Sequence, residues 1–98
     1  MLTLERHTGG TPANGTVTTA STEIVATRPR RGYCSVQNDS DTVIYLALGY
    51  PAVVGSGIRL NANGGSYEIN FTNLFTGAIN AIHGGSGNKN VCIQESGV

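Results

Sequence analysis

Apolar and polar positions alternate most clearly over residues 33–48, YCSVQNDSDTVIYLAL. Successive residues of a β-strand point to opposite faces, so such alternation is typical of a strand with one buried face. Cys34 and Val36 alternate with polar neighbours before the turn NDSD, and Ile44 and Leu46 alternate in the same way after it. Asn, Asp and Ser favour turns because they bond to their own backbone. The segment therefore predicts a β-hairpin in which Ile44 and Leu46 are buried.

The same two-residue period recurs in short segments along the rest of the chain, which predicts strands in residues 16–27, 58–61, 66–70, 76–83 and 90–95. Asn63-Gly64 predicts a hairpin-type turn, since this pair readily adopts positive φ. The segment FTNLF predicts a turn whose Phe71, Leu74 and Phe75 cover one end of the core. About seven short strands with Gly or Asn turns and no helical period indicate an all-β fold, a small antiparallel β-sandwich or barrel.

The 98 residues are enough for one small domain. Residues 1–15 are polar and contain three glycines and a proline, which predicts an extended N-terminal arm before a single domain of residues 16–98. A domain of this size has a thin core, and association of copies is a common remedy. Charged residues make up 12% of the chain, against about 25% in an average soluble domain. This composition favours a surface that packs against copies or a partner over that of an ordinary β domain.

Two segments offer candidate contacts for a partner. Residues 28–32, RPRRG, hold three of the six positive charges, which fits a contact with an acidic surface or nucleic acid, or else a solvated turn. Residues 50–57, YPAVVGSG, are apolar for a loop, and such a loop either folds onto the core or meets a neighbour. The candidate partner-contact residues are Arg28, Arg30, Arg31, Tyr50, Val53 and Val54.

Several classes of protein fit the chain poorly. The formal net charge is zero, which argues against nucleic acid or an anionic membrane as the partner. No apolar run approaches the roughly 20 residues of a membrane span. The first residues, MLTLERHTGGTPANG, lack the apolar core of a signal peptide, so we expect synthesis in a cytoplasm. In that reducing compartment Cys34 and Cys92 are expected to be buried thiols and not a disulfide.

The residues that could act in catalysis or bind a phosphate or a metal do not form a known motif. The run GGSGNKN lacks the Gly-Lys-Ser/Thr of a phosphate-binding loop. Asp39 and Asp41 alternate like calcium ligands, but the glycine and distal glutamate of an EF-hand are missing. Neither His7 nor His83 is spaced from an acid and a nucleophile in a way that indicates a catalytic triad. The sequence contains no Cys-x-x-Cys pair around which a zinc site could form. We therefore expect no enzyme activity, no catalytic residue, no cofactor and no metal.

Four segments together resemble small virion proteins of tailed bacteriophages. They are YCSVQNDSDTVIYLALG, GSGIRLNANGGSYEI, FTGAINAI and GGSGNKNVCIQES, and the resemblance covers residues 31–95, about two thirds of the chain. The motifs consist of turns and core positions, so they are more specific for a fold than for a role. They carry no catalytic residue that could be transferred to this chain.

The resemblance implies a compact β domain, commonly a homotrimer, at the capsid surface of a virion. The function that it implies is a capsid decoration, or cement, protein that binds the major capsid protein and stabilises the assembled shell. A tail, baseplate or head-fibre component of the same particle is an alternative. An alternative of another class is a carbohydrate-binding β-sandwich module, although the absence of Trp argues against the aromatic platform of most sugar sites.

Overall fold

The computed structural model describes residues 10–97, with side chains from residue 13 onward. This part of the chain contains β-strands and no helix, and none of it could therefore cross a membrane as a helix. The strands are β1 (Gly10–Val17), β2 (Thr22–Val25), β3 (Arg31–Asn38), β4 (Ile44–Leu48), β5 (Ile58–Leu60), β6 (Ser66–Ile69), β7 (Ile79–His83) and β8 (Lys89–Gly97).

The strands form two four-stranded sheets, in the orders β1-β8-β3-β6 and β2-β7-β4-β5. β4 pairs with β5, β3 with β6, β2 with β7 and β1 with β8, all antiparallel, so the pairs are nested like the two arms of one long hairpin. The β3–β8 and β4–β7 ladders join these pairs into the two sheets. This arrangement is that of an eight-stranded jelly roll. The predicted all-β antiparallel sandwich is confirmed.

The core lies between the inner faces of the two sheets. Apolar side chains, most of them β-branched, fill it: Val17, Val25, Cys34, Val36, Ile44, Leu46, Leu60, Ile69, Ile79, Ala81, Val91 and Ile93. Both Ile44 and Leu46 are fully buried, as the alternation predicts. Branched side chains suit this position because they pack well on a pleated surface.

The predicted hairpin of residues 33–48 is wrong. β3 and β4 lie in different sheets, and the segment between them crosses from one sheet to the other. Asn63 and Gly64 do have positive φ, 59° and 120°, but their turn also joins two sheets, because β5 and β6 are on opposite sides of the core. Alternation identifies the buried face of a strand but not its partner, so both segments fit a crossing as well as a hairpin.

The predicted N-terminal arm falls only partly within the described chain. Its first nine residues lie outside the described part. Residues 10–15 belong to β1, which pairs with β8 from Gly10↔Ser96 to Val17↔Lys89. The boundary predicted after residue 15 therefore falls inside a strand, because the backbone of a Gly-rich, polar segment can still form a sheet ladder at an edge.

The loops gather at two ends of the sandwich, which we name after the first and last residues of β3. The Arg31 end carries the loops of residues 26–30 and 70–78 and the start of the loop of residues 49–57, since Leu48 pairs with Ile79 and Gly97 with Arg31. The Asn38 end carries the four other loops, residues 18–21, 39–43, 61–65 and 84–88.

Replacing Leu46 with Ala tests the core. We expect the free energy of unfolding to fall by about 2–5 kcal/mol, from lost apolar transfer energy and the cavity left behind. Leu74→Ala is the matched control, because Leu74 is 52% exposed and its truncation should change stability by no more than about 0.5 kcal/mol. Urea denaturation followed by circular dichroism measures both, and equal effects of the two substitutions would contradict the packing described.

Candidate protein-interaction surfaces

The guanidinium of Arg31 is buried, with no exposed side-chain area. Its Nε donates a hydrogen bond to Oε2 of Glu95 at 2.7 Å. Its two terminal nitrogens donate to the carbonyl oxygens of Ala26, Phe75 and Gly77 at 2.6–2.9 Å. The sequence predicts that Arg31 contacts a partner, but its side chain is buried in the single chain and offers no exposed area for such a contact. Its donors hold together the loops of residues 26–30 and 70–78.

A bulge in β3 explains why Arg31 points inward. The pairing of β3 with β8 shifts register between Arg31 and Tyr33, so the alternation that continues from Cys34 is broken at Gly32. A β-bulge re-aims the side chains beside it. Regular alternation would place Arg31 on the outer face with Tyr33, whereas the bulge sends it beneath the loops.

The other two arginines of this turn remain nearer the surface. Arg28 is partly exposed, and its Nη1 lies 3.4 Å from Oε1 of Glu95, while its backbone N–H donates to the Thr76 carbonyl at 2.8 Å. Arg30 is exposed. Arg28 and Arg31 share one carboxylate, that of Glu95.

Two large apolar side chains lie on the neighbouring loop. Phe71 and Leu74 are 49% and 52% exposed, so the prediction that they cover the core is wrong, and only Phe75 packs against it. The side chains of Asn70 and Asn73 bond to nearby backbone N–H groups, Asn70 to that of Thr72 and Asn73 to that of Asn70, which fixes a tight turn. The turn places Phe71 and Leu74 on the outside.

We call Arg28, Arg30, Phe71 and Leu74 the Arg31-end surface. The hydrogen bond from Arg28 to Thr76 and the bonds of Arg31 to both loops make these two loops adjacent. Sequence reasoning found the arginines and missed the apolar pair. The signal for the pair was the spacing of Asn70 and Asn73, which is typical of a side-chain-stabilised turn.

The apolar loop of residues 49–57 folds back over the outer face of the β2-β7-β4-β5 sheet. Ala52 is buried there against Ala47 and Ile82. Its backbone N–H donates to Ser21 Oγ at 2.8 Å, and Asn80 Nδ2 donates to the Tyr50 carbonyl at 2.7 Å. The first alternative weighed for this loop, packing on the domain, therefore holds for Ala52. The second alternative, contact with a neighbour, stays a prediction.

The exposed side chains of this loop are the predicted contacts Tyr50, Val53 and Val54, at 56%, 57% and 48%. Val53 and Val54 begin a turn closed by a bond from Ser56 N–H to the Val53 carbonyl, with Gly55 at φ 85°. A residue in the third position of such a turn needs positive φ, which glycine adopts freely. The turn thus holds two valines at a fixed position on the surface.

The polar residues in the other motifs are occupied within the fold. Asn38 is fully buried, and its amide nitrogen donates to the carbonyls of Thr42 at 2.8 Å and Leu60 at 3.1 Å. Its Oδ1 accepts a bond from Ser40 at 2.6 Å. Asn38 thereby joins the loop of residues 39–43 to the end of β5.

His83 has the same role in the loop of residues 84–88. Its ring is buried, Nδ1 lies 3.1 Å from the N–H of Gly85, and Nε2 lies 2.7 Å from the carbonyl oxygen of Gly87. A backbone N–H can only donate, so Nδ1 is the acceptor and Nε2 carries the proton. These two bonds use both ring nitrogens to hold one loop.

The two cysteines are free thiols in different environments. Cys34 is buried in the core, whereas Cys92 is exposed, so the expectation of two buried thiols is wrong for Cys92. Burial raises the pKa of the Cys34 thiol to about 11. Among residues 10–97, no group of three or more His, Cys, Asp or Glu side chains is placed to hold a metal ion.

A shallow groove of about 260 Å³ lies on the outer face of the other sheet, and its lining is Ala13, Ser35, Gln37, Cys92, Ile93 and Gln94. Uncharged amide and hydroxyl groups dominate its polar part. These groups both donate and accept hydrogen bonds, but the lining contains no aromatic ring on which a sugar could stack.

No protein-family model, curated protein or solved structure matches this chain.

Replacing Arg31 with Met tests its role inside the fold. We expect a loss of about 3 kcal/mol in the free energy of unfolding, since Glu95 and three loop carbonyls lose their donor. Arg28→Met is the matched control and should cost less than about 1 kcal/mol, because Arg28 is partly exposed. Thermal and urea denaturation of both variants make the comparison, and a mild effect at Arg31 would refute its structural role.

Thiol labelling tests the placement of the cysteines. At pH 8 we expect one thiol per native chain to react with a maleimide and two in denaturant, because Cys34 is buried and its raised pKa keeps it protonated. Cys92→Ser should abolish labelling of the native protein and leave one reactive thiol after unfolding. Mass spectrometry counts the labels, and rapid modification of native Cys34 would contradict the structure.

Proposed function

We propose that this protein is a structural component of a bacteriophage virion, a capsid decoration or cement protein that binds the major capsid protein on the outside of the assembled shell. The resemblance over residues 31–95 supports this role. The jelly roll supports it more weakly, since viral capsid domains, lectins and cupins share that architecture. A fold does not assign a function, so the argument depends on the surface.

The observation that carries the proposal is the Arg31-end surface. It combines two large apolar side chains with two arginines, Arg28 and Arg30. Exposed apolar groups next to arginine are typical of protein-binding surfaces, in which aromatic residues and Arg are enriched. The surface fits a site on the shell that is apolar at its centre and acidic at its rim.

The two kinds of side chain have different roles in this proposal. Burial of Phe71 and Leu74 against the shell supplies affinity, which scales roughly with the apolar area removed from water. Arg28 and Arg30 mainly speed and orient docking, because rim charges act more on association rate than on affinity. Stabilisation of the shell then follows by mass action, since a protein that binds only the assembled state favours that state.

The buried Arg31 is a positioning residue for this surface. Its guanidinium holds the carbonyls of Phe75 and Gly77 on one loop and of Ala26 on the other. These loops carry the four residues of the surface. Loss of Arg31 would therefore disturb binding indirectly, through the geometry of the loops.

A carbohydrate-binding module is the second candidate function, favoured by the groove around Ser35, Gln37 and Gln94. Uncharged donors and acceptors suit the hydroxyl groups of a neutral sugar. The groove is shallow and its lining lacks an aromatic ring, so this candidate ranks below the first. Isothermal titration with neutral oligosaccharides tests it, and loss of binding in Gln94→Ala would support it.

Co-sedimentation with shells that lack the protein tests the leading proposal. We expect the wild-type protein to pellet with shells, and Phe71→Ser and Leu74→Ser to weaken binding by about tenfold each, from lost apolar burial. Arg30→Glu should weaken binding to the shells more at low salt than at high salt, because salt screens the charges. Ser66→Glu, an added charge at the Asn38 end of the β1-β8-β3-β6 sheet, is the control and should bind like the wild type.

The location of the protein on the particle distinguishes a role in the head from a role in the tail. Electron microscopy of particles with a specific antibody should show the label on the capsid surface. Label confined to the tail or baseplate would replace the capsid role with the tail, baseplate or head-fibre alternative. Wild-type protein that does not pellet with shells would remove the capsid proposal altogether.

A further inference from the structure

Two charged side chains of opposite sign have no partner within the described chain. Glu23 and Arg59 are both exposed. Neither forms an ion pair or a side-chain hydrogen bond, whereas every other charged residue from residue 13 to residue 97 makes one or another interaction.

Glu23 and Arg59 lie on the same face of the same sheet, at its opposite edges. Glu23 on β2 pairs with Asn80, and Arg59 on β5 pairs with Tyr45. Paired residues of antiparallel strands share a face, and Asn80 and Tyr45 both face outward, toward the loop of residues 49–57. β2 and β5 are the edge strands of the order β2-β7-β4-β5, so about 14 Å separates them at roughly 4.8 Å per strand.

The surface between the two charges is apolar and uncharged. Its centre is the loop of residues 49–57 with Val53 and Val54, and a β-carbon at Gly84 would lie 3.2 Å from Val54. The loops of residues 18–21 and 84–88 beside it, TTAS and GGSGN, also carry no charge. The outer face thus has an apolar centre, a negative edge and a positive edge.

We propose that this face is an interface between copies of the chain, in which Glu23 of one copy pairs with Arg59 of the next and Val53 and Val54 are buried between them. Closed symmetric assemblies bring one surface of a chain against the same or another surface of its copy. A rotation that relates two copies can bring the negative edge of one face against the positive edge of the other, so that the opposite charges pair. A charge at the centre of the face would instead meet the same charge on the copy and be repelled.

The pattern favours a second copy over an unrelated partner because the complementary surface is already present on the chain. A three-fold ring that joins the β5 edge of one copy to the β2 edge of the next pairs Arg59 with Glu23 and turns the valines toward the axis. A two-fold contact of the two faces makes the same pair twice. A specific interface needs about 800 Å² per partner, which is a small part of the 5523 Å² of accessible surface on the chain.

The measurement is the mass of the purified protein in solution by sedimentation equilibrium, without shells, so its outcome is independent of capsid binding. We expect about three times the 10.2 kDa of the chain at micromolar concentration. Twice that mass would support the same contact with a two-fold axis. A monomer up to several hundred micromolar would overturn the proposal.

Charge reversal identifies the contact. Glu23→Arg and Arg59→Glu should each weaken association by at least about tenfold, because like charges then face each other. The double variant should restore the wild-type mass, which a folding defect could not produce. Glu68→Arg, an exposed acid on the other sheet, is the control and should leave the mass unchanged.

The valines supply a second, independent readout. Val53→Asp should give a monomer whose melting temperature stays close to that of the wild type in its dissociated form, since the side chain is exposed in the single chain. Single charge reversals that keep the wild-type mass, or a double variant that fails to restore it, would refute the Glu23–Arg59 pairing.

Discussion

The backbone groups of the loops set the main constraint on this fold. Every connection except that between β4 and β5 crosses from one sheet to the other, so its peptide groups leave the ladders and need other partners. Buried polar side chains provide some of them: Arg31 at one end of β3 binds three loop carbonyls. Asn38 at the other end binds the carbonyls of Thr42 in a loop and of Leu60 at the end of β5. The strand β3 therefore fixes both ends of the sandwich.

The same constraint accounts for the buried polar side chains of the sequence motifs. Asn38 and His83 are the kind of residues that build active sites, but each uses its side-chain atoms on loop backbone. No buried side-chain nitrogen or oxygen in the described part of the chain lacks a hydrogen-bond partner.

The faces of the strands could be predicted from the sequence, whereas their pairing could not. A period of two places Cys34 with Val36 and Ile44 with Leu46 whatever strand lies beside them. The turn NDSD has the right local chemistry for a hairpin, but the amide of Asn38 bonds to Leu60, 22 residues away. Arg31 is one of three similar arginines in the sequence, and only the bulge at Gly32 separates it from its neighbours.

The two candidate surfaces lie on different parts of the sandwich, so one chain could contact its copies and a partner at the same time. The outer face of the β2-β7-β4-β5 sheet holds Val53 and Val54, and the Arg31-end surface lies on the loops of residues 26–30 and 70–78. An assembly closed through the sheet face leaves the loop end of each copy exposed. Once one copy binds a repeating lattice, the others bind at a high effective concentration. Contacts too weak to hold one small domain would then hold the assembly, provided that the spacing of the loop ends matches the lattice.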